Sequence, residues 1–248
     1  HQSFSTLFSR TTSDGYRENS RYERSNLLIT GNKKLGIHSI QLLLNHIDLF
    51  ARIPSSIDYS TYQSRPQSAA ANWKNIQGFQ SYEKWQTGLT FITQFNPNFE
   101  NKLSLYGIYH DAYESRPFNI LKEETKTIGF RENMQWRRNK HALSAGVEYF
   151  REVYNWQIFE TIQGNAGNQL TDAEEFRHFY NIFVHFESEL SPSTLLLAGI
   201  NFHELRYRNK EADEHTQKHT YSPVFSPRIG INQRITPNTY LYATAGHG

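Results

Sequence analysis

The chain has 248 residues, 37% of them hydrophobic, with a formal net charge of +2 and no cysteine. Its mean hydropathy is −0.70, and no apolar stretch approaches the ~18 residues of a spanning helix, which excludes helical membrane proteins but not a β-barrel, where only every second residue need be apolar. The missing thiols exclude a disulfide framework and thiolate metal sites, the interspersed charges give no basic face for nucleic acid, and an aromatic content of 15% favours β structure.

The opening HQSFSTLFSR lacks a basic segment followed by an apolar one, so a secretory signal is expected to be absent or already removed. Residues 3–9 read as a first strand. YERSNLLIT (22–30) turns at GNKKLG and returns as IHSIQLLLNHIDLF (37–50), the weakest of the alternations. WQTGLTFITQF (85–95) puts Trp85, Leu89, Phe91 and Phe95 on one face, turns at NPNFEN and returns over 102–113. IGFRENMQW (128–136) turns at RRNKH and returns over 142–156, with Leu143, Ala145, Val147 and Tyr149 opposite Ser144, Gly146 and Glu148. FRHFYNIFVHFESEL (176–190) sets Phe176, His178, Tyr180, Ile182, Val184 and Phe186 against Arg177, Asn181, His185 and Glu187, then turns at SPS and returns over 194–208. In 225–235, Phe225, Pro227, Ile229, Ile231 and Ile235 face away from Ser226, Arg228, Gly230, Asn232 and Arg234; a Thr-Pro-Asn turn leads to TYLYATAGHG. A period of two runs through all of these, and a 3.6 period would scramble it.

About eleven strands result. Short turns rich in Pro, Asn, Gly and Ser alternate with long polar connections expected at 10–22, 51–81, 113–123, 158–174 and 208–220. Short turns at one end and long loops at the other predict an all-β, antiparallel up-and-down transmembrane β-barrel segment. Trp85 and Phe95, like Phe176 and Phe186, bracket spans as interfacial girdle residues do. An odd strand count with open edges, intolerable in lipid, predicts a piece of a larger barrel. Glu132 conflicts with its apolar face, which predicts either a shifted register or a position near an interface. A soluble β-rich module is the alternative, since the polar face would serve equally as a solvated one.

The final FSPRIGINQRITPNTYLYATAGHG resembles the barrel hairpin of TonB-dependent outer-membrane receptors, where an F-S-P-R-hydrophobic-G strand turns into an "lYa" strand ending in a Gly-rich step. TTSDGYRENSRYERSNL (11–27) resembles an early barrel segment of that family, and ARIPSSIDYSTYQSRPQSAAANW (51–73) its long outer loop, with Pro54-Ser55 in place of a Pro-Gly pair. The resemblance implies a 22-stranded barrel of the bacterial outer membrane, occluded by an N-terminal plug. Residues 1–248 would be part of that barrel domain, without the plug and the C-terminal strands. It implies uptake of an iron complex of the siderophore or ferric-citrate type, powered through the plug by the TonB complex, with outer-membrane lipid as the surrounding partner and no cofactor. A passive porin and a glycan-importing receptor are the rivals within the membrane class.

Ligand contacts are expected from the outer loops: Tyr16 and Arg17 in the first, Tyr62, Gln63, Arg65 and Trp73 in the longest. Arginine matches the carboxylates of an anionic chelate in a forked way, and Tyr and Trp offer flat contact at modest entropy cost. Arg228, Arg234, Glu148, Glu187 and His185 are expected to face the lumen. His215 and His219 stand four apart beside Glu211, Asp213 and Glu214. That set could hold a divalent metal, but no Glu follows the first His to make H-E-x-x-H, and a solvated polar loop accounts for it. No nucleotide loop and no placed nucleophile with a base appears, so no enzyme is expected.

Overall fold

Alternation of this kind can bury nothing by itself; it needs neighbours in register. A computed structural model describes residues 2–211 and 216–247, and there the alternating runs form one antiparallel sheet. Its strands are β1 (Gln2–Ser13), β2 (Tyr22–Leu35), β3 (His38–Arg52), β4 (Phe79–Asn96), β5 (Phe99–Ser115), β6 (Ile120–Arg138) and β7 (His141–Ile162), then β8 (Asn165–Ser191), β9 (Thr194–Glu211), β10 (Thr216–Thr220), β11 (Val224–Thr236) and β12 (Thr239–Gly246). Two short helices, α1 (Tyr59–Ser64) and α2 (Ala71–Asn75), lie between β3 and β4. Along the main path each strand pairs with the next, so the sheet runs β1 to β9 and on through β11 to β12, with β10 paired to β9 alone. Among the described residues, no helix is long and apolar enough to cross a membrane.

The eleven strands of that path match the expected number. The short β10 is an addition, inside the stretch 208–220 read as a loop. It pairs with β9 over Arg206–Lys210, while β11 pairs with the same edge over Thr194–His203. The two lie end to end, divided at Pro223, whose ring nitrogen has no proton to donate to a ladder.

The other expected connections shrink. The links are 14–21, 53–78, 116–119 and 163–164, because β5 through β8 run on past the predicted strand ends. β7 has 22 residues and β8 has 27, about twice the ~9–11 that cross a bilayer. Beyond the bilayer both faces of a hairpin meet water, so cross-strand hydrogen bonding continues without apolar alternation to mark it. The β7–β8 tip closes at Gln163 and Gly164, both with positive φ (52° and 88°), as a two-residue hairpin turn requires. At the opposite end the turns are tight, with Gly36 (φ 63°) and Asn139 (φ 52°) in the left-handed region.

Register lines the outward residues into rows. Leu42, Leu89, Leu105, Phe130, Tyr149 and Tyr180 form one, and Ile40, Phe91, Leu103, Glu132, Val147, Ile182, Phe202 and Phe225 another. The first row beyond the band at the long-hairpin end holds His46, Trp85, Tyr109, Lys126 and Phe176; at the turn end, Phe99, Trp136, Leu143 and Phe186. Trp85 to Phe95 spans ten residues, so at ~3.3 Å per residue and ~45° of tilt the rise is about 23 Å, close to the ~25 Å apolar band of outer-membrane barrels. Ile128, Ile182 and Ile229 are 69%, 53% and 55% exposed. A soluble sandwich would bury them against a second layer; here the sheet is one layer thick, and the apolar face is left for lipid.

Glu132 answers neither expectation. The ladder Leu103–Glu132–Val147 has no register shift, and Glu132 lies four residues inside Trp136, well within the band. Its carboxylate instead accepts a hydrogen bond from the side-chain amide of Asn101, which shares the outward face one row away. A local donor compensates the carboxylate where neither register nor depth does.

A charge set at mid-band separates the two faces. Ile182→Arg is expected to cost the full-length protein about 2–4 kcal/mol of folding stability in phosphatidylcholine vesicles, measured from the denaturant midpoint of its heat-resistant gel mobility. Ser144→Arg, on the opposite face, should cost much less; equal losses would contradict the assignment of faces.

Candidate functional site

The long-hairpin end carries a platform built from the two loops read as ligand-facing. Link 14–21 clamps link 53–78. Arg17 donates from Nε and Nη2 to the Ser68 carbonyl (3.0 and 2.8 Å) and from Nη1 to the Ser55 carbonyl (2.7 Å). Its planar fork suits two carbonyls thirteen residues apart, which a single ammonium could not span. The Asn19 amide reaches the Ile53 and Gly78 carbonyls (2.8 and 3.0 Å), closing the base of the long loop. Asn19 does so at φ 49°, a left-handed position that Asn tolerates better than most residues.

Glu18 completes the clamp. Its backbone N–H donates to the Gln67 carbonyl (2.8 Å), and its carboxylate accepts from Lys74 Nζ (2.7 Å) and the Ala69 N–H (3.2 Å). The Lys74 hydrogen bond first, and the Ala69 N–H after it, hold the Glu18 carboxyl below its usual range. Ala69 beneath is buried.

Within the long loop, Asp58 caps α1 by accepting from the Thr61 N–H (2.8 Å) and from the Ser60 and Thr61 hydroxyls (2.6 and 2.9 Å). These donors, Ser60 foremost, hold its carboxyl far below the ordinary range. α1 presents an exposed row: Tyr59 and Tyr62 are 76% and 57% exposed, Gln63 donates to the Tyr59 hydroxyl (2.9 Å), and Arg65 ends the helix in solvent. α2 turns Trp73 the other way, against Gly78 and edge-on to Phe118 at 6.4 Å. The loop then reaches across the barrel rim, where Ile76 meets Gly164 at the β7–β8 tip. Ser115 Oγ donates to the Gly164 carbonyl (3.3 Å), and Thr161 Oγ1 to the Arg116 carbonyl (2.7 Å). Ser115 and Ile120 are fully buried there.

The candidates from sequence therefore divide. Tyr16 (68% exposed), Tyr62, Gln63 and Arg65 offer aromatic, amide and guanidinium groups to solvent. Arg17 spends its donors on the loop, and Trp73 is half-buried in packing. Tyr59 and Phe118 (65% exposed) join the exposed set; Tyr59 was legible as a loop aromatic beside Tyr62, whereas Phe118 was not, its neighbourhood being set by Trp73 from another loop.

The inward face carries the expected charges. Glu148 accepts from Arg131 (2.8 Å) and Tyr106 (3.4 Å), Glu152 from Arg177 (2.9 Å) and Thr127 (3.0 Å), and His185 lies 3.6 Å from Glu187. Arg228 and Arg234 share this face, Arg234 donating to the Pro192 carbonyl (3.4 Å). Among the described residues, no cluster of three His, Cys, Asp or Glu stands ready for a metal. Asp213, Glu214 and His215 of the histidine-rich segment lie outside the described residues, and His219 falls in β10.

No protein-family model matches the sequence, and no curated protein does. Solved structures match the fold. The ferric citrate transporter FecA in its unliganded form superposes with a TM-score of 0.84 at 14% identity, over 99% of this chain and 39% of that one. The siderophore receptor PiuA from Acinetobacter baumannii gives 0.78 at 12% identity, over 98% and 44%. The copper transporter OprC gives 0.77 at 14% identity, over 98% and 40%. The chain spans about two fifths of the length of these structures.

The clamp makes two expectations. Arg17→Ala should raise amide hydrogen exchange across 65–75 at least tenfold in the full-length protein, and Arg17→Lys should not restore it. Glu18 has its folded pKa depressed, so its contribution is complete above the ordinary carboxylate value of ~4.3 and is lost as pH falls through the lowered folded value. The loop should therefore loosen to protease only in acid, and Glu18→Gln should loosen it at pH 7 and flatten that dependence.

Proposed function

We propose that this chain, whose fold is the barrel wall of TonB-dependent outer-membrane receptors, is part of the β-barrel domain of such a receptor and serves the capture and import of an iron chelate. The observation that carries the reading is the combination of wall and platform. A lipid-facing band ends, at the long-hairpin end, in rigid projecting hairpins and a clamped loop that presents Tyr16, Tyr59, Tyr62, Gln63 and Arg65 together. A porin's wall needs no such clamp. Transport in this reading draws on the TonB complex through a plug, and the ligand is an anionic chelate of the ferric-citrate or siderophore class. Arg65 then supplies the forked contact to a carboxylate, and the tyrosines supply flat apolar contact. The matching structures, a ferric citrate transporter and a siderophore receptor, favour iron over the copper of the third.

The test is binding by the full-length protein in detergent, followed by intrinsic fluorescence during titration with ferric citrate and with a panel of ferric siderophores. One of these should bind in the micromolar range or tighter, with Arg65→Ala weakening it about tenfold, or ~1.4 kcal/mol, and Tyr62→Ala by a similar factor. Saturable binding of no iron chelate, alongside passive solute flux through the reconstituted protein, would favour the porin.

A further inference from the structure

Within the apolar band, the outward face carries a polar pair that lipid cannot satisfy. Glu132 on β6 accepts a hydrogen bond from the Asn101 amide on β5. Both are half-buried, with Leu103, Met134 and Val147 around them. That single bond leaves the second carboxylate oxygen of Glu132 and the other amide N–H of Asn101 without a partner among the described residues. Hydrocarbon chains offer no donor or acceptor, and water is excluded at this depth. A neighbouring protein can complete the set, and polar side chains of this kind hold membrane segments together.

Beside the pair lies a hollow. Gly107 on β5 has no side chain, and Thr87, Leu89, Leu105, Ile128 and Phe130 line an apolar groove of about 570 Å³ around it. A Cβ added at Gly107 would meet Thr87 Oγ1 at 3.2 Å and the Thr127 carbonyl at 3.7 Å, so the hollow is open. On the inward face, by contrast, Gly129 and Gly146 lie under the rings of Tyr106 and Phe183. The cross-strand neighbour of Gly107 is Ile128, which stands out at 69% exposed. Knob and hollow thus sit side by side. On strands ~4.8 Å apart and tilted ~45° they differ in depth by about 3 Å. Two copies inserted in the same sense are related by a two-fold axis along the bilayer normal, which joins surfaces of equal depth in an isologous contact. Such a contact needs a protrusion beside its own hollow, and Ile128 and Gly107 supply them. It also needs an acceptor beside a donor, and Glu132 with Asn101 supplies those, four residues or ~13 Å along β6 from Ile128.

We infer that the outward face of β4 to β7 is the contact surface between two copies of the full-length protein in the membrane. Ile128 of each copy enters the hollow over Gly107 of the other, and the Glu132–Asn101 pair of each completes that of the other. Lipid chains can fill the hollow but cannot supply the missing donor and acceptor. The inference rests on the membrane-barrel reading and not on the identity of the ligand. The test is single-molecule photobleaching of the singly labelled full-length protein in phosphatidylcholine vesicles over a range of protein-to-lipid ratios. The unaltered protein should bleach in two steps and dissociate on dilution. Gly107→Leu, which fills the hollow, should weaken pairing at least tenfold, and so should Glu132→Leu combined with Asn101→Leu. That double variant takes polar atoms out of lipid, so its monomer should unfold at an equal or higher denaturant midpoint, whereas loss of a merely structural pair would lower it. Ala198→Leu, which adds similar bulk to the outward face of β9, should leave pairing unchanged. One-step bleaching of the unaltered protein at every ratio overturns the interface. Pairing that survives both variants, or that Ala198→Leu weakens equally, overturns it too. If Gly107→Leu does not insert, the double variant decides. Absence of heat-resistant gel mobility in the unaltered protein strikes the barrel reading itself; monomers that insert normally strike only the interface.

Discussion

Inside a bilayer no water is present to satisfy a peptide group, so every N–H and C=O of this wall must find a partner on the next strand. The ladder obeys that constraint closely. From β1 to β9 and on through β11 to β12 each strand pairs with the next, and the register shifts fall at Gln94/Asn96, Ile158/Phe159/Thr161, Glu189/Ser191 and Arg234/Thr236. All of these lie at the turns or in the projecting hairpins. A bulge leaves a residue unpaired, which is tolerable where water reaches and costly where it does not. The one interruption among the described strands falls between β10 and β11 at Pro223, opposite Glu204, and just before it the Tyr221 N–H still donates to the Leu205 carbonyl (3.0 Å).

Continuous pairing fixes everything that the side chains do next. Because register is unbroken across the band from β1 to β9, one parity of each of these strands is outward, and the inward parity is free to carry Arg131, Glu148, Glu152 and Arg177 as cross-strand pairs. Such pairs facing an aqueous interior add little stability each; their consequence is a polar wall suited to a hydrated lumen or to a polar domain inside it. Outside the bilayer the ladder continues through β7 and β8 and gives the loop platform a stiff support, so that Ile76 of the long loop can rest on Gly164 at a hairpin tip. Binding side chains on such a platform lose less conformational freedom than on a free loop.

The barrel wall shows how much register adds to residue type. Arg151, His178 and Arg206 are widely separated along the chain and become neighbours only because β7, β8 and β9 pair as they do. A cluster of that kind is invisible to a window along the chain. Arg17 is a parallel case: an arginine in a polar loop has the chemistry of an anion receptor, yet its partners are the Ser55 and Ser68 carbonyls, whose positions depend on how a separate loop folds. Arg65, equally an arginine in a polar loop, stays exposed. Sequence chemistry was the same for both; tertiary context separated them.

What the sequence by itself determined is the part governed by a local period. Residues such as Leu89, Phe91, Ile182, Val184, Ile229 and Ile231 alternate because lipid lies on one side only, and the tight turns carry residues able to adopt the turn conformation; both are readable from neighbours a few positions apart. The girdle pair Trp85 and Phe95 was readable for the same reason, its spacing being the thickness of the band. The tertiary structure alone decided what depends on distant partners or on symmetric surroundings. Strand ends at 113–123 and 158–174 were hidden because water on both faces leaves no alternation to read. Glu132 looked misplaced until Asn101 of the next strand stood beside it. The clamp of Arg17, Glu18 and Asn19 is a product of long-range contacts, which a one-dimensional pattern does not encode.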